Sequence, residues 1–448
     1  MSPTSRQPAP RPLMLSGPFR VKSLLAAALL FTTALTPAAA AEVELLHWWT
    51  SGGEARAVES LRATLATQGL TLKTPTVAGD ADALAKILSE RIAAHRAPDA
   101  VQMKAADLAQ WGDQGALASL NALAKSDHWD YQIPRQIAEQ VKYKDTYVAV
   151  PVNVHRVNWL YINRHLLAQV QGRAPQSWPQ FFQLAERLQQ AGITPLAHGN
   201  QPWQNLTLFE TVVLGTGGAD FYRHALVQGD PAAIGGATME RAMQTFVALK
   251  PLTVPAKASD AASSQDWNAA TAQVIAGKAA MQVMGDWAKG EFLAAKQVPD
   301  RDFLCASTPG GATVYDYVVD SLAVFRQGTN PEATAEQNAL AHAVTSLDFQ
   351  RNFNLAKGSI PVTPGVDMAP FDACAKESSA YFLAARLANT LVPSVAHRMA
   401  LPEPMHKALE SLIDRLWNDA AYRPAQAQHD WAAAAHTAGA AISKFTQK

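Results

Sequence analysis

EVELLHWWTSGGEARAVESLRATLATQG, residues 42–69, carries the pattern that decides the fold. An apolar run ends at Trp48-Trp49, a polar and glycine-rich step follows, and then Val58, Leu61 and Leu65 recur at helical spacing until Gly69. The periodicity changes within a few residues, so a strand hands over to an amphipathic helix that stops at the glycine. Neighbouring strand residues point to opposite faces. Trp48 and Trp49 therefore cannot both fill the core beneath one sheet face, and at least one ring belongs at an edge or in a cleft. Gly52-Gly53 reads as a tight turn. Glu54 stands at the helix start, where the helix dipole favours a negative charge and where a ligand is also within reach.

Working outward, the alternation repeats. TLKTPTV (71–77) is a second strand. DADALAKILSERIAAHRA (80–97) is a second helix with the stripe Leu84, Ile87, Leu88 and Ile92, and DAVQMK (99–104) is a third strand ending in Lys104. Strand, helix, strand, helix, strand requires parallel pairing with right-handed crossovers. YVAVPVNV (147–154) breaks at Pro151 and reads as a crossing into a second α/β series: WLYINRHLLAQV, SWPQFFQLAERLQQAG and ITPLAHG. Residues 209–250 read as mainly helical and 251–268 as a loop. AGKAAMQVMGDW (276–287) reads as a strand passing from one lobe to the other, and YDYVVDSLAVF (315–325) as one strand with Asp320 inside an apolar run. The expected fold class is α/β, two-lobed, with a hinge and an interdomain cleft. The expected lobes are 42–150 plus about 281–328, and 151–280 plus about 329–448.

Arg6, Arg11, Arg20 and Lys22 precede the apolar stretch SLLAAALLFTTAL and the small residues around Ala39 and Ala41. Residues 1–41 therefore read as a cleaved secretory signal peptide, which implies an exported protein. The whole chain carries 38 basic and 38 acidic residues. Without the four basic residues of the leader the net charge is −4, a surface with no electrostatic reason to seek nucleic acid or an anionic membrane. In an exported chain the two cysteines, Cys305 and Cys374, read as a disulfide, with buried free thiols as the alternative.

HExxH, GxSxG, Walker A and GxGxxG motifs are all missing, and the twelve histidines lack metal-ligand spacing. No cofactor and no metal are expected. What remains is a set of polar and indole side chains where strands or helices give way to loops: Trp48, Trp49, Glu54, Gln102, Lys104, Trp267, Trp287, Asp320, Lys357 and His397. A pyranose needs this mixture, because its ring faces lie on indoles and its hydroxyls meet charged hydrogen-bonding groups. Each residue also has a plainer reading: a core indole, a helix-end charge, a solvated lysine. Asp320 is the hardest to dismiss, since an acid in an apolar strand needs a partner.

HWWTSGGEARAV, VQMKAADLAQW, YVAVPVNVHRVNWLY, PLAHG, DWNAATAQVIAGKAAMQVMGDWAKGEFLAA, DFLCA, NLAKGSIPV and LVPSVAH together resemble the periplasmic glucose-binding proteins of bacterial ABC importers, in order and through essentially the whole chain after the leader. The resemblance implies a type II periplasmic binding fold of the maltose-binding-like group, with a sugar between closing lobes. It assigns the ten residues above to the sugar site, pairs Cys305 with Cys374, and implies no catalytic step. Expected partners are a monosaccharide, glucose first, and inner-membrane permease subunits; a chemoreceptor is a further candidate, and a monomer is expected. Glu54, Gln102, Lys104 and Asp320 are expected from the first lobe, and Trp267, Lys357 and His397 from the second. The rival readings are an exported glycoside hydrolase using Glu54 and Asp320 as its two carboxylates, and the same fold binding another hexose or an oligosaccharide.

Overall fold

The computed structural model describes residues 41–75, 77, 81–253 and 266–446, with side chains to residue 439, and residues 9, 12 and 14 singly. The expected signal peptide and most of the expected 251–268 loop lie outside the described residues. The chain begins with β1 (Ala41–Leu46), β2 (Leu70–Lys73) and β3 (Ala100–Met103). A short ladder of β4 (Lys142–Tyr143) and β5 (Thr146–Tyr147) follows, then β6 (Ala149–Pro151) and β7 (His155–Arg156). Next come β8 (Trp159–Asn163), β9 (Thr194–Leu196), β10 (Ala279–Val283) and β11 (Phe303–Ser307). The last strands are β12 (Tyr315–Val318), β13 (Ser321–Val324) and β14 (Leu391–Pro393).

The first sheet has the order β2-β1-β3-β13-β6. β1 pairs in parallel with β2 and β3, as the strand–helix alternation requires, and β13 runs antiparallel between β3 and β6. The helix Gly52–Thr67 buries Ala57, Val58, Leu61 and Leu65, the periodic face read from the sequence. The second sheet has the order β11-β8-β10-β9 and the third β14-β12-β7. A separate apolar core with Phe181, Phe209, Phe246, Leu409, Trp417 and Trp431 serves the second sheet and its helices. β11 is tied to the helix Ala373–Leu387 by the Cys305–Cys374 disulfide, with Cα atoms 5.9 Å apart.

Three expectations about strands and lobes are corrected. β10 does not pass between lobes. It is an interior strand of the second sheet, antiparallel to β8 and parallel to β9, with all five residues buried. An apolar run looks the same in a central strand and in a crossing, so composition could not separate them. YDYVVDSLAVF is two strands rather than one: β12 belongs to the third sheet and β13 to the first, with Val319 and Asp320 at the passage. Finally, the helices Ala335–Thr345 and Leu347–Lys357 lie with the first sheet, not with residues 151–280. Phe349 and Phe353 are fully buried, and the Phe353 ring sits 5.3 Å from that of Trp49. Sheet membership thus divides the chain differently from the expected 281–328 and 329–448 boundaries.

The passages between sheets are hydrogen-bonded to one another. Val152 N donates to Asp320 O (2.8 Å), while Val154 and Ile360 exchange both main-chain bonds at 3.0 Å. Three connecting segments at about residues 151–155, 318–321 and 357–360 therefore form one joint.

Candidate functional site

The strands that end at the joint leave a cavity of about 550 Å³. All ten side chains singled out in the sequence line it. Trp48 and Trp49 follow β1, Gln102 and Lys104 close β3, Trp287 follows β10 and His397 follows β14. This is where ligands collect in α/β folds, outside the carboxyl ends of strands. Trp267 opens the helix Trp267–Ile275, and Lys357 ends the helix Leu347–Lys357 before Gly358, which turns the chain at φ 91°. A Cβ at Gly358 would lie 2.4 Å from Asp286 O, so only glycine fits there.

The two tryptophans, just past the end of β1, differ in burial. Trp49 is 2% exposed, stacked on His47 at 5.5 Å and edge-on to Phe353. Trp48 is half-buried, with the Lys104 ammonium 5.9 Å from its ring centre. Gly52-Gly53 corrects the expected turn, because both residues are already helical. A Cβ on Gly53 would come within 3.0–3.2 Å of the Gly290 backbone, so the glycine permits close approach of the Trp287–Ala294 helix.

The charged groups of the cavity satisfy one another. Asp320 is bridged by Lys104, accepts from Gln102 Nε2 (3.2 Å) and Asn153 Nδ2 (3.3 Å), and faces His155 Nε2 at 3.1 Å. Burial alone would raise its carboxyl, but the Lys104 ammonium, with His155 and Lys357, holds it well below the usual carboxylate range. The other imidazole nitrogen of His155 meets Asp286. Glu54 Oε1 receives Lys357 Nζ at 2.8 Å, while its Oε2 accepts from Thr50 N (3.1 Å) and Ser51 N (3.2 Å). It is thus both a helix-start charge and a cavity group. That pairing corrects the placement of Lys357 in the second lobe: its helix lies over the first sheet beside Glu54.

His397 Nε2 meets Thr207 Oγ1 at 3.2 Å, and that hydroxyl donates to Trp203 O. The Thr207 oxygen therefore accepts from Nε2–H, leaving Nδ1 as the ring's acceptor. Burial keeps this imidazole neutral, its pKa well below the ordinary value, helped by Lys104. Trp287 packs edge-on to both His397 (4.9 Å) and His155 (5.3 Å).

Sequence reading missed His155, Trp203, Asp266 and Arg398, all of which line the same cavity. The argument that selected Asp320, a polar group in an apolar run, applies equally to Asn153 and His155 in VPVNVHRV. Trp203 lies a few residues past the end of β9, so the strand-end rule would have found it. Arg398 has no local signal.

Residues 70–343 match the bacterial extracellular solute-binding protein family. A "probable sugar-binding periplasmic protein" of Rhizobium meliloti is 39% identical over 89% of this chain and 94% of its own length. One of the same description from Brucella melitensis is 40% identical over 84% of this chain and 88% of its own. Among solved structures, a chitin oligosaccharide binding protein superposes with TM-score 0.71 at 18% identity, covering 90% of this chain and all of that one. The bacterial solute receptor AcbH, described as exclusive for β-D-galactopyranose, superposes with TM-score 0.72 at 16% identity and the same coverage. The chain belongs to the bacterial extracellular solute-binding proteins. Its fold is the two-lobed type II periplasmic binding protein fold.

Proposed function

We propose that this protein is the periplasmic, non-catalytic sugar receptor of an ABC importer, and that it holds one neutral monosaccharide, glucose first and galactose or mannose more weakly, between its lobes. The observation that carries this is the internal neutralisation of the cavity. Among the described lining residues Lys104 answers Asp320, Lys357 answers Glu54 and Arg398 answers Asp82 and Asp107, so none of these cations is left over for an anionic solute, while Trp48, Trp267 and Trp287 offer apolar faces. Charge-assisted hydrogen bonds suit hydroxyls. The names of the curated relatives point the same way. Export through cleavage of residues 1–41, delivery to permease subunits, a monomeric state and presentation to a chemoreceptor belong to the same proposal.

The glycoside hydrolase reading is disfavoured by the same geometry. Such enzymes need one carboxyl kept protonated as an acid. Asp320 is held well below the usual range and Glu54 is ion-paired to Lys357. Calorimetry of the chain without its leader, against hexoses, pentoses, disaccharides and sugar acids, tests the proposal. One-to-one binding of D-glucose is expected, and Asp320→Ala should weaken it at least roughly 100-fold, since it strips partners from buried charges. Binding confined to charged solutes, or turnover of any glycoside, would overturn the proposal.

A further inference from the structure

One residue spans the cleft twice over. Arg398 belongs to the segment after β14, whose Val395 and Ala396 are part of the second core and donate their amides to Glu210 Oε2 at 2.8 and 3.0 Å. From that anchorage it reaches two helices of the other side. Its guanidinium bridges Asp82, in the first turn of the helix Ala81–Ala93, and Nη1 meets Asp107 Oδ1 at 3.2 Å, in the first turn of the helix Ala105–Asp113. Its main-chain carbonyl accepts from Ala106 N at 3.1 Å. The side chains of Arg398 and Asp107 are only 10% and 14% exposed, whereas Asp82 is 53% exposed. Arg398 also holds φ at 58°, a left-handed conformation that a non-glycine residue keeps only when its surroundings impose it.

We infer that Arg398 is the closure latch of this cleft, a positioning residue that holds the shut lobes together and thereby sets the rate at which bound sugar leaves. The planar fork matters here. It engages two carboxylates on different helices at once, which an ammonium cannot match. These contacts join parts of the molecule that separate when the cleft opens, so they contribute only to the closed state. Stabilising one state alone shifts the open–closed equilibrium. Such a contact appears in dissociation more than in association.

The inference rests on the sugar-receptor proposal for its kinetic test, and a second arm needs no sugar. In stopped-flow fluorescence with D-glucose, Arg398→Gln should raise the dissociation rate roughly 10- to 100-fold while changing the association rate less than about threefold. Arg398→Lys should recover part of the loss. Asp82→Asn, at the exposed end, should have a smaller effect that disappears in the Arg398→Gln background. In sugar-free protein, hydrogen exchange of the segment 104–108, which includes the Ala106 amide, should quicken in Arg398→Gln. Wild-type dissociation and exchange rates in that variant would overturn the latch. So would independent, additive effects of Arg398→Gln and Asp82→Asn. If no sugar binds the wild type, the receptor proposal fails, and the exchange arm alone decides for or against the latch.

Discussion

Trp48 and Trp49 separate at the residue scale what adjacency in sequence joins. Trp49 packs between His47 and Phe353, whereas Trp48 faces the cavity beside Lys104. Trp49→Ala should therefore lower unfolding free energy by about 3–5 kcal/mol in urea titrations, the usual loss for a buried large aromatic. Trp48→Ala should leave stability within about 1 kcal/mol and weaken D-glucose roughly 30-fold. Equal stability losses for both would refute this division. That at least one of the two rings belongs at an edge or in a cleft was legible because strand side chains alternate, while the resemblance assigned both to the sugar site. Which ring went where was not, since that depends on Phe353, some three hundred residues away. Asp320 was legible because a lone acid in an apolar run demands partners; their identity, Lys104 and His155, came only from the fold.

Whole elements carry two further expectations. The disulfide fastens β11 to the helix Ala373–Leu387 and closes a loop of 69 residues. Replacing both cysteines by serine should lower stability by about 4 kcal/mol on the loop-entropy estimate, with sugar affinity nearly intact, as calorimetry and denaturation can establish together. The second concerns the helix Pro202–Tyr222, whose Glu210 is buried against the segment after β14. Glu210 accepts from Ser394 Oγ (2.7 Å), Tyr222 OH (2.9 Å) and two main-chain amides. Burial pushes this carboxyl up from 4.5 to about 7. Neighbouring Asp316 is driven well above the usual range by burial and by Glu210, with Arg156 as the opposing cation. The native state thus keeps a proton that the unfolded chain has already lost. Glu210's contribution to stability is full below about pH 4.5 and is lost as pH rises through about 7. Buried His47, His198 and His406, each lowered to about 4, act in the opposite sense as pH rises toward 6.5. The difference between wild type and Glu210→Gln reads the linked pair Glu210 and Asp316: the variant should gain stability on wild type as pH rises from 4.5 to about 7. A flat difference curve would refute it. Element types were largely legible from periodicity, but sheet allegiance was not, because β10 and a crossing strand share the same apolar composition.

At the scale of the whole molecule, the passages between the sheets are hydrogen-bonded to one another at Val152–Asp320 and Val154–Ile360, which makes them the expected hinge if the halves close as in other periplasmic binding proteins. A sugar that meets both halves should shrink the radius of gyration in small-angle scattering, and Asp320→Ala should abolish the change. Closure without sugar to the same final size would count against a ligand-driven hinge, since a ligand shifts only the equilibrium it binds unequally. The amino-acid sequence by itself determined the α/β class and the parallel start of the first sheet, and it singled out ten side chains that line one cavity, because periodicity and strand-end polarity are local properties. Only the tertiary structure decided that β10 stays within the second sheet, that Lys357 stands beside Glu54, and that Arg398 grips Asp82 and Asp107 from across the cleft. Those outcomes depend on which distant apolar faces pack together, and no local pattern records that choice.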